Sequence, residues 1–230
     1  MEAIVLAGGF GTRLAEVVKD VPKPMAPVRG RPFLEYVLNA LRNEGVDHIV
    51  LAVGYKKECI IEHFGSTFHG ASITYSVEET PLYTGGAIKQ AMRQCTENRV
   101  FVVNGDTFFP VQLQKMRQFA AAEQAPVVMA VKRMESFSRY GTVCFDHTQY
   151  VTSFLEKRFC KTGFINGGVY DIERNILDNF PNVFSIENDC FPRLAQQRCL
   201  KVFCDDAVFI DIGIPEDYKT AQTMFREVVL

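Results

Sequence analysis

The sequence predicts an α/β fold: a doubly wound, mixed and mostly parallel sheet with a small antiparallel subsheet. Three observations lead there. Short apolar runs end at glycine-containing turns, amphipathic stretches at helical spacing alternate with those runs, and beyond Lys132 the alternation gives way to closely spaced β-rich segments.

The first run, Ala3 to Leu6, is apolar at every position and stops at Gly8-Gly9, as expected of a strand buried on both faces. Asp47-His48-Ile49-Val50-Leu51-Ala52-Val53 has the same character and stops at Gly54. Between them Phe33, Leu34, Val37, Leu38 and Leu41 recur on one helical face, and Gly45 follows where a left-handed cap residue is wanted. Strand, helix and strand make a βαβ unit. The pattern then predicts a helix near 56–63, a strand near 72–77 and a helix over about 86–95. The strand Val100-Phe101-Val102-Val103 follows, running into Asn104-Gly105-Asp106, with a helix near 112–123 and a strand over 127–132 after it.

From there Thr142–Phe145 and the stretches 150–155 and 164–170 are β-rich without full helices between them, and read as an inserted antiparallel subsheet. A helix over 187–197, strands Leu200–Cys204 and 207–212, and a last helix complete the chain. Pro215 falls in the first turn of that helix, and Tyr218, Ala221, Met224 and Phe225 share a face.

A chain of 230 residues can bury roughly 70–75% of its unfolded surface, enough for one substantial core. No linker, repeat or low-complexity tract divides it, so a single domain over 1–230 is expected. A formal net charge of −2 gives no footprint for nucleic acid or for anionic lipid, which makes any phosphate binding local. The amino-terminal apolar stretch is too short for a signal sequence or a membrane span, and a cytoplasmic protein is expected. Seven cysteines, an odd number with no C-x-x-C, read as reduced thiols. The four histidines are scattered, with no orienting partner apparent.

In open α/β sheets ligands bind beyond the carboxyl ends of the strands, so the polar residues just after each apolar run carry the chemistry. In Leu6-Ala7-Gly8-Gly9-Phe10-Gly11-Thr12-Arg13-Leu14 the glycines expose backbone N–H groups to phosphate oxygens and Arg13 adds a charged fork. A tight strand-to-helix turn needs glycines for steric reasons too. Neither the Walker spacing nor G-x-G-x-x-G is present, and the second strand lacks the acidic residue of a nicotinamide site. Ten residues beyond Arg13, Pro22-Lys23-Pro24 holds a lysine between two prolines of fixed φ, a cation set in place by the backbone.

Together the L-A-G-G-F-G-T-R-L and P-K-P segments resemble the signature of the sugar-1-phosphate nucleotidyltransferases. The likeness continues in order through Asn104-Gly105-Asp106, Glu156-Lys157, Asn166-Gly167-Gly168 and Asp211-Ile212-Gly213. The resemblance implies the Rossmann-like fold of nucleotide-diphospho-sugar transferases, with a nucleotide-binding part over about 1–133 and a sugar-phosphate-binding part over about 134–230. It also implies a nucleoside triphosphate and a sugar 1-phosphate as partners, Mg2+ as cofactor, and a homo-oligomer as a form some relatives take.

By the same resemblance Asp106 and Asp211 hold the metal, Arg13 neutralises the β- and γ-phosphates, and Lys23 sits by the α-phosphate. Lys157 holds the sugar phosphate, although Glu156-Lys157-Arg158 also fits an ordinary charged strand end. Leu6, Ala7, Gly8, Gly9, Gly11, Thr12 and Asn104 line the nucleotide site, and Gly141, Glu156, Asn166 and Gly168 the acceptor pocket.

The stretch Glu78-Glu79-Thr80-Pro81-Leu82-Tyr83-Thr84-Gly85-Gly86 is similar to the family's base-binding segment, and Glu78, Tyr83, Thr84 and Gly85 are the matching residues. Tyr83 stands where relatives commonly have glycine. A carboxylate from Glu78 or Glu79 suits the N1–H and exocyclic amine of guanine, which favours GTP; a solvated surface position suits the pair as well. In length and in these stretches the chain is most similar to heptose 1-phosphate guanylyltransferases, which supply GDP-heptose for capsule or surface polysaccharide. Mannose 1-phosphate guanylyltransferases, other hexose 1-phosphate nucleotidyltransferases and a non-catalytic nucleotide-sugar binder remain as alternatives.

Overall fold

The computed structural model describes residues 1–9, 18 and 21–225. Gly11, Thr12 and Arg13 lie outside the described residues.

One eight-stranded sheet organises the chain. Its parallel heart is β1 (Glu2–Leu6), flanked by β4 (His48–Val53) and β7 (Arg99–Asn104), with β6 (Ala71–Val77) beside β4. Two two-residue strands, β2 (Pro27–Val28) and β3 (Arg31–Pro32), form a hairpin ahead of the first helix, and β5 (Thr67–Phe68) turns back antiparallel along β6. On the other side β12 (Cys160–Glu173) runs antiparallel to both β7 and β9 (Val127–Phe137), and β13 (Leu200–Cys204) lies parallel to β9 at the edge. The order across the sheet is β13-β9-β12-β7-β1-β4-β6-β5.

Side chains of the central strands alternate between two cores, as the period of two in a strand demands. Ala3, Val5, Phe101 and Val103 face one layer, which takes α1 (Phe33–Asn43), α2 (Lys57–Phe64), α4 (Leu113–Ala122) and α6 (Pro215–Met224). Ile4, Val100 and Val102 face the other, covered by α3 (Tyr83–Ala91) and α5 (Phe191–Gln196). Both faces are thus apolar, which is why these strands read as continuous hydrophobic runs.

Helix α1 has no side-chain N-cap, so its stability rests on burial. Phe33, Leu34 and Leu38 are fully inaccessible, each contributing about 1.5–3 kcal/mol relative to an exposed position. The helix stops where the sequence predicts. Gly45 takes φ +86°, its N–H donates to the Arg42 carbonyl, and the Val46 N–H donates to that of Leu41, a paired closure that satisfies two otherwise unpaired carbonyls.

Three expected elements differ. The segment 164–170 belongs to β12 in the main sheet, so the antiparallel subsheet is only β10 (Thr142–Phe145) with β11 (Val151–Leu155). The expected strand over 207–212 shrinks to β14 (Ile210–Asp211), which pairs with β8 (Thr107–Phe108) and leaves the main sheet. The helix expected over 187–197 opens with a π-turn, Ile186–Cys190, before α5. All three are set by partners far along the chain, which local patterning does not contain.

Candidate active site

A cleft of about 990 Å³ lies beyond the carboxyl ends of β1, β4, β6 and β7. Leu6, Gly8 and Gly9 come from the turn after β1, Gly54 and Tyr55 from the turn after β4, Glu78 to Pro81 from the segment after β6, and Asn104 and Asp106 from the end of β7. Lys23, Pro24, Gly213 and the strap 185–189 close its other walls. Strand order reverses at β1, the crevice position expected for a ligand in such a sheet.

The glycines act by close approach. A Cβ on Gly8 would stand 2.6 Å from Glu78 Oε1, and one on Gly105 would stand 2.7 Å from the Leu6 carbonyl. The Gly105 N–H donates to that same carbonyl at 2.9 Å, which fixes the turn that presents Asp106 at the cleft.

Four charged groups meet there. Lys23 Nζ lies 2.5 Å from Asp106 Oδ2 and 3.4 Å from Asp211 Oδ1, while Arg139 Nη2 lies 3.2 Å from Asp211 Oδ2. Lys23 sits in a single 3-10 turn, Lys23–Met25, entered from Pro22 at φ −66° and braced by Pro24, so the backbone restricts where its ammonium can go. Asp211 ends β14, and its Oδ1 also accepts from the Gly213 N–H at 2.7 Å. Gly213 has no room for a side chain, since a Cβ would fall 2.8 Å from Asp211 Oδ1 and 3.1 Å from Lys23 Nζ.

The two aspartates therefore aim oxygens at one point, and a cation already stands between them. That arrangement fits a divalent ion completed by phosphate oxygens. Among the described residues no group of three or more His, Cys, Asp or Glu is placed to cage a metal by itself, and an ion such as Mg2+, which dehydrates reluctantly, is usually held by one or two carboxylates plus substrate.

On the opposite wall Glu78 and Glu79 part ways. Burial pushes the Glu78 carboxyl above its ordinary range, and its Oε2 accepts from the Leu82 N–H at 3.2 Å. Glu79 is 81% exposed and pairs with Lys57 at 3.3 Å. Both line the cleft, but only Glu78 is held in a semi-buried setting where a carboxylate can discriminate between partners.

Tyr83 opens α3 with φ +58°, a left-handed conformation that glycine takes freely, and its ring is 68% exposed at the rim. Thr84 Oγ1 donates to Glu187 Oε2 at 2.6 Å and accepts from the Ile186 N–H at 3.0 Å, tying α3 to the strap. Gly85 is buried beneath Phe184, where a Cβ would lie 2.3 Å from the ring.

Of the residues expected at the acceptor pocket, Gly168 takes φ +71° and packs its backbone against the Asn104 side chain. Asn166 donates from Nδ2 to the Tyr170 hydroxyl at 2.8 Å, and its Oδ1 accepts from the Gly168 N–H at 2.9 Å. Gly141 sits against the Leu155 carbonyl, with no space for a Cβ. Glu156 and Lys157 are exposed in the turn between β11 and β12 and stand outside the cleft lining, as do Ala7, Gly85, Gly141, Asn166 and Gly168; Asp211 and Arg139 stand just behind it, and Asp211 meets the lining through Lys23 and Gly213. Arg139 and Glu187 were not anticipated. Each is a charge that distant pairing brings to the site: Arg139 reaches Asp211 from the loop after β9, and Glu187 reaches Thr84 from the strap.

A doubly wound sheet with its crevice at the strand-order reversal, glycine-lined and bearing two strand-end carboxylates around a cation, defines a phosphate-handling transferase site. The chain matches the nucleotidyl transferase family over residues 2–227 and belongs to it. It is 46% identical to the D-glycero-alpha-D-manno-heptose 1-phosphate guanylyltransferase of Aneurinibacillus thermoaerophilus, covering 100% of both chains. It is 44% identical to the enzyme of that name from Campylobacter jejuni, over 95% of this chain and 97% of that one. Among solved structures it resembles HddC from Yersinia pseudotuberculosis complexed with GMP-PN, with 35% identity, a TM-score of 0.88 and coverage of 97% and 99%.

Proposed function

We propose that this protein transfers GMP from GTP to D-glycero-α-D-manno-heptose 1-phosphate, giving GDP-heptose and pyrophosphate for capsule or surface polysaccharide. The reading is carried by one observation: full-length likeness to heptose 1-phosphate guanylyltransferases coincides with a cleft whose two aspartates converge on a cation.

Within this reading Glu78 accepts from the guanine N1–H and amine, with Tyr83 at the rim beside base or ribose. Leu6, Ala7, Gly8, Gly9, Gly11, Thr12, Thr84, Gly85 and Asn104 shape the nucleotide site. Gly141, Glu156, Asn166 and Gly168 shape the acceptor pocket. Arg13 neutralises the phosphates that leave, Lys157 steadies the sugar phosphate, and Lys23 faces the α-phosphate, where charge builds as the new bond forms. Asp106 and Asp211 hold Mg2+, which when bound supplies charge neutralisation on the phosphate oxygens.

An oxygen of the sugar phosphate attacks the α-phosphorus in line while the bond to the β-phosphate oxygen breaks and pyrophosphate departs. The attacking oxygen is already anionic near neutral pH, so positioning and electrostatics are what the protein provides. The nucleotide part is taken as about 1–133 and the sugar-phosphate part as about 134–230, joined by one continuous sheet. Among the described residues no helix is long and apolar enough to cross a membrane, which accords with action in the cytoplasm on small phosphorylated substrates.

The test is pyrophosphate release from GTP, UTP, dTTP, CTP and ATP, each paired with heptose, mannose and glucose 1-phosphates. GTP with the heptose phosphate should give the highest kcat/KM. A clear preference for UTP or dTTP would overturn the guanine assignment, and a preference for mannose 1-phosphate would favour the mannose reading.

A further inference from the structure

The two cations at the acid pair are anchored differently. Among the described residues Lys23 pairs with Asp106 and Asp211 alone, so a divalent ion that takes those oxygens removes both of these partners. Arg139 has a partner outside the pair. Its Nη2 donates to Asp211 Oδ2, while its Nη1 is in close contact with Asp217 Oδ2 on the first turn of α6. The planar guanidinium can hold two carboxylates at once in fixed geometry, which an ammonium on a flexible stem does less well.

Asp211 is thereby oriented from both sides, with Oδ1 on the Gly213 N–H and Oδ2 on Arg139. The charge balance points the same way. Among the described residues of the cluster, two cations meet three carboxylates, and Asp217 supplies the negative charge that remains. Without it the arginine would compete with an incoming metal for Asp211 instead of holding the carboxylate for it.

We propose that Arg139, tied down by Asp217, is a positioning residue that keeps Asp211 aimed when a metal–nucleotide enters, and that Lys23 alone leaves the acid pair. The inference rests on the nucleotidyl-transfer reading above and assigns the Arg139–Asp217 pair to that site.

The experiment compares the wild type with Asp217→Asn, Arg139→Gln, Arg139→Lys and the Asp217→Asn/Arg139→Gln double variant. Mn2+ binding is measured by electron paramagnetic resonance in the presence of a non-hydrolysable GTP analogue, alongside the Mg2+ dependence of turnover. Asp217→Asn should weaken Mn2+ binding roughly 5- to 20-fold and raise the half-saturating Mg2+ to match, with KM for the sugar phosphate within about twofold of the wild type. The double variant should bind Mn2+ no more weakly than Arg139→Gln, because the two residues act as one unit. Arg139→Lys, which keeps the charge but loses the fork, should fall between wild type and Arg139→Gln.

Wild-type Mn2+ affinity in a folded Asp217→Asn protein, or additive losses in the double variant, would overturn the proposal. If Asp217→Asn unfolds, Arg139→Lys decides by itself: unchanged Mn2+ binding there removes the need for a two-carboxylate clamp. Failure of the nucleotidyl-transfer reading would show separately, as a wild type that releases no pyrophosphate from any substrate pair.

Discussion

Asp171 and the Asp106–Asp211 pair are both carboxylate sites met by two cations, yet they are built for different ends. Asp171 lies on β12 opposite Phe101, toward the amino end of β7, and is 0% exposed. Arg99 donates to its Oδ1 at 3.2 Å and Arg117 to its Oδ2 at 2.9 Å, and Arg99 also reaches Glu173. Burial pushes the Asp171 carboxyl up, against the pull of Arg117 and Arg99. The Asp106 and Asp211 carboxylates are 36% and 23% exposed, and Asp106 is met by a lysine that, among the described residues, reaches no acid outside the pair. Desolvated arginine pairing locks a carboxylate in place, because separating the ions inside the protein leaves an uncompensated charge. Partial exposure with a lysine leaves the carboxylate exchangeable, as a site must be when a metal–nucleotide replaces an internal cation.

The sharpest way to break this contrast is to remove the same charge at each place. Asp106→Asn or Asp211→Asn should lower kcat/KM by about 10³-fold or more while the melting temperature stays close to wild type. Asp171→Asn should do the reverse: it removes the burial cost of the carboxylate but leaves Arg99 and Arg117 uncompensated, losing about 3–5 kcal/mol of stability, a fall on the order of 10 °C in melting temperature, with folded protein of ordinary specific activity. Calorimetry with steady-state kinetics on the same preparations checks both. An active, well-folded Asp106→Asn protein would remove the cleft pair from the chemistry.

A smaller effect separates the cleft wall from the foot of the sheet. Glu78 is held with a raised pKa, so its charged form costs stability in the free protein. Glu78→Gln should therefore stabilise the free protein at neutral pH by up to about 1 kcal/mol while eroding the preference for GTP over other nucleoside triphosphates. Thermal shift and competition between GTP and ATP would measure the trade. A destabilised variant would show the carboxylate to be a structural group.

Glu2 has the opposite sign. Desolvation would raise its pKa, but the backbone N–H groups of Glu97 and Thr96, His48 and the Thr96 hydroxyl together hold it below the usual carboxylate range. A lowered folded pKa means its stabilisation is present above the unfolded value near 4.5 and is lost as pH falls through the folded value. Glu2→Gln should flatten that acid limb of the stability curve and cost about 1–2 kcal/mol at neutral pH, read by urea titrations from pH 3 to 7. An unchanged acid limb would mean the loss of stability in acid originates elsewhere.

Much of the sheet was legible because its strands are covered on both faces. Val5 and Phe101 face one layer and Ile4 and Val102 the other, so the runs around them carry no polar residue to blur the signal. The glycine turn, Lys23, Asp106 and Asp211 were legible because each stands at the edge of such a run or between prolines. The main-sheet pairing of β12 was not, since whether a β-rich stretch pairs with its neighbour or with β7 about seventy residues away is not written in its local pattern. Nor was the choice between Glu78 and Glu79, which are alike in sequence and differ only in which of them the turn after β6 buries.

The sequence by itself determined the alternation of apolar runs and helices, the glycine-rich segment after the first strand and the order in which the charged residues arrive. Those follow from nearest-neighbour chemistry, from periodicity, fixed proline φ angles and glycine's missing Cβ. Tertiary structure alone decided which carboxylates converge on Lys23, that Arg139 bridges to Asp217, and that Asp171 is sealed away from the cleft. Coulombic and desolvation energies depend on distances through space and on local dielectric, and only the closed sheet fixes either.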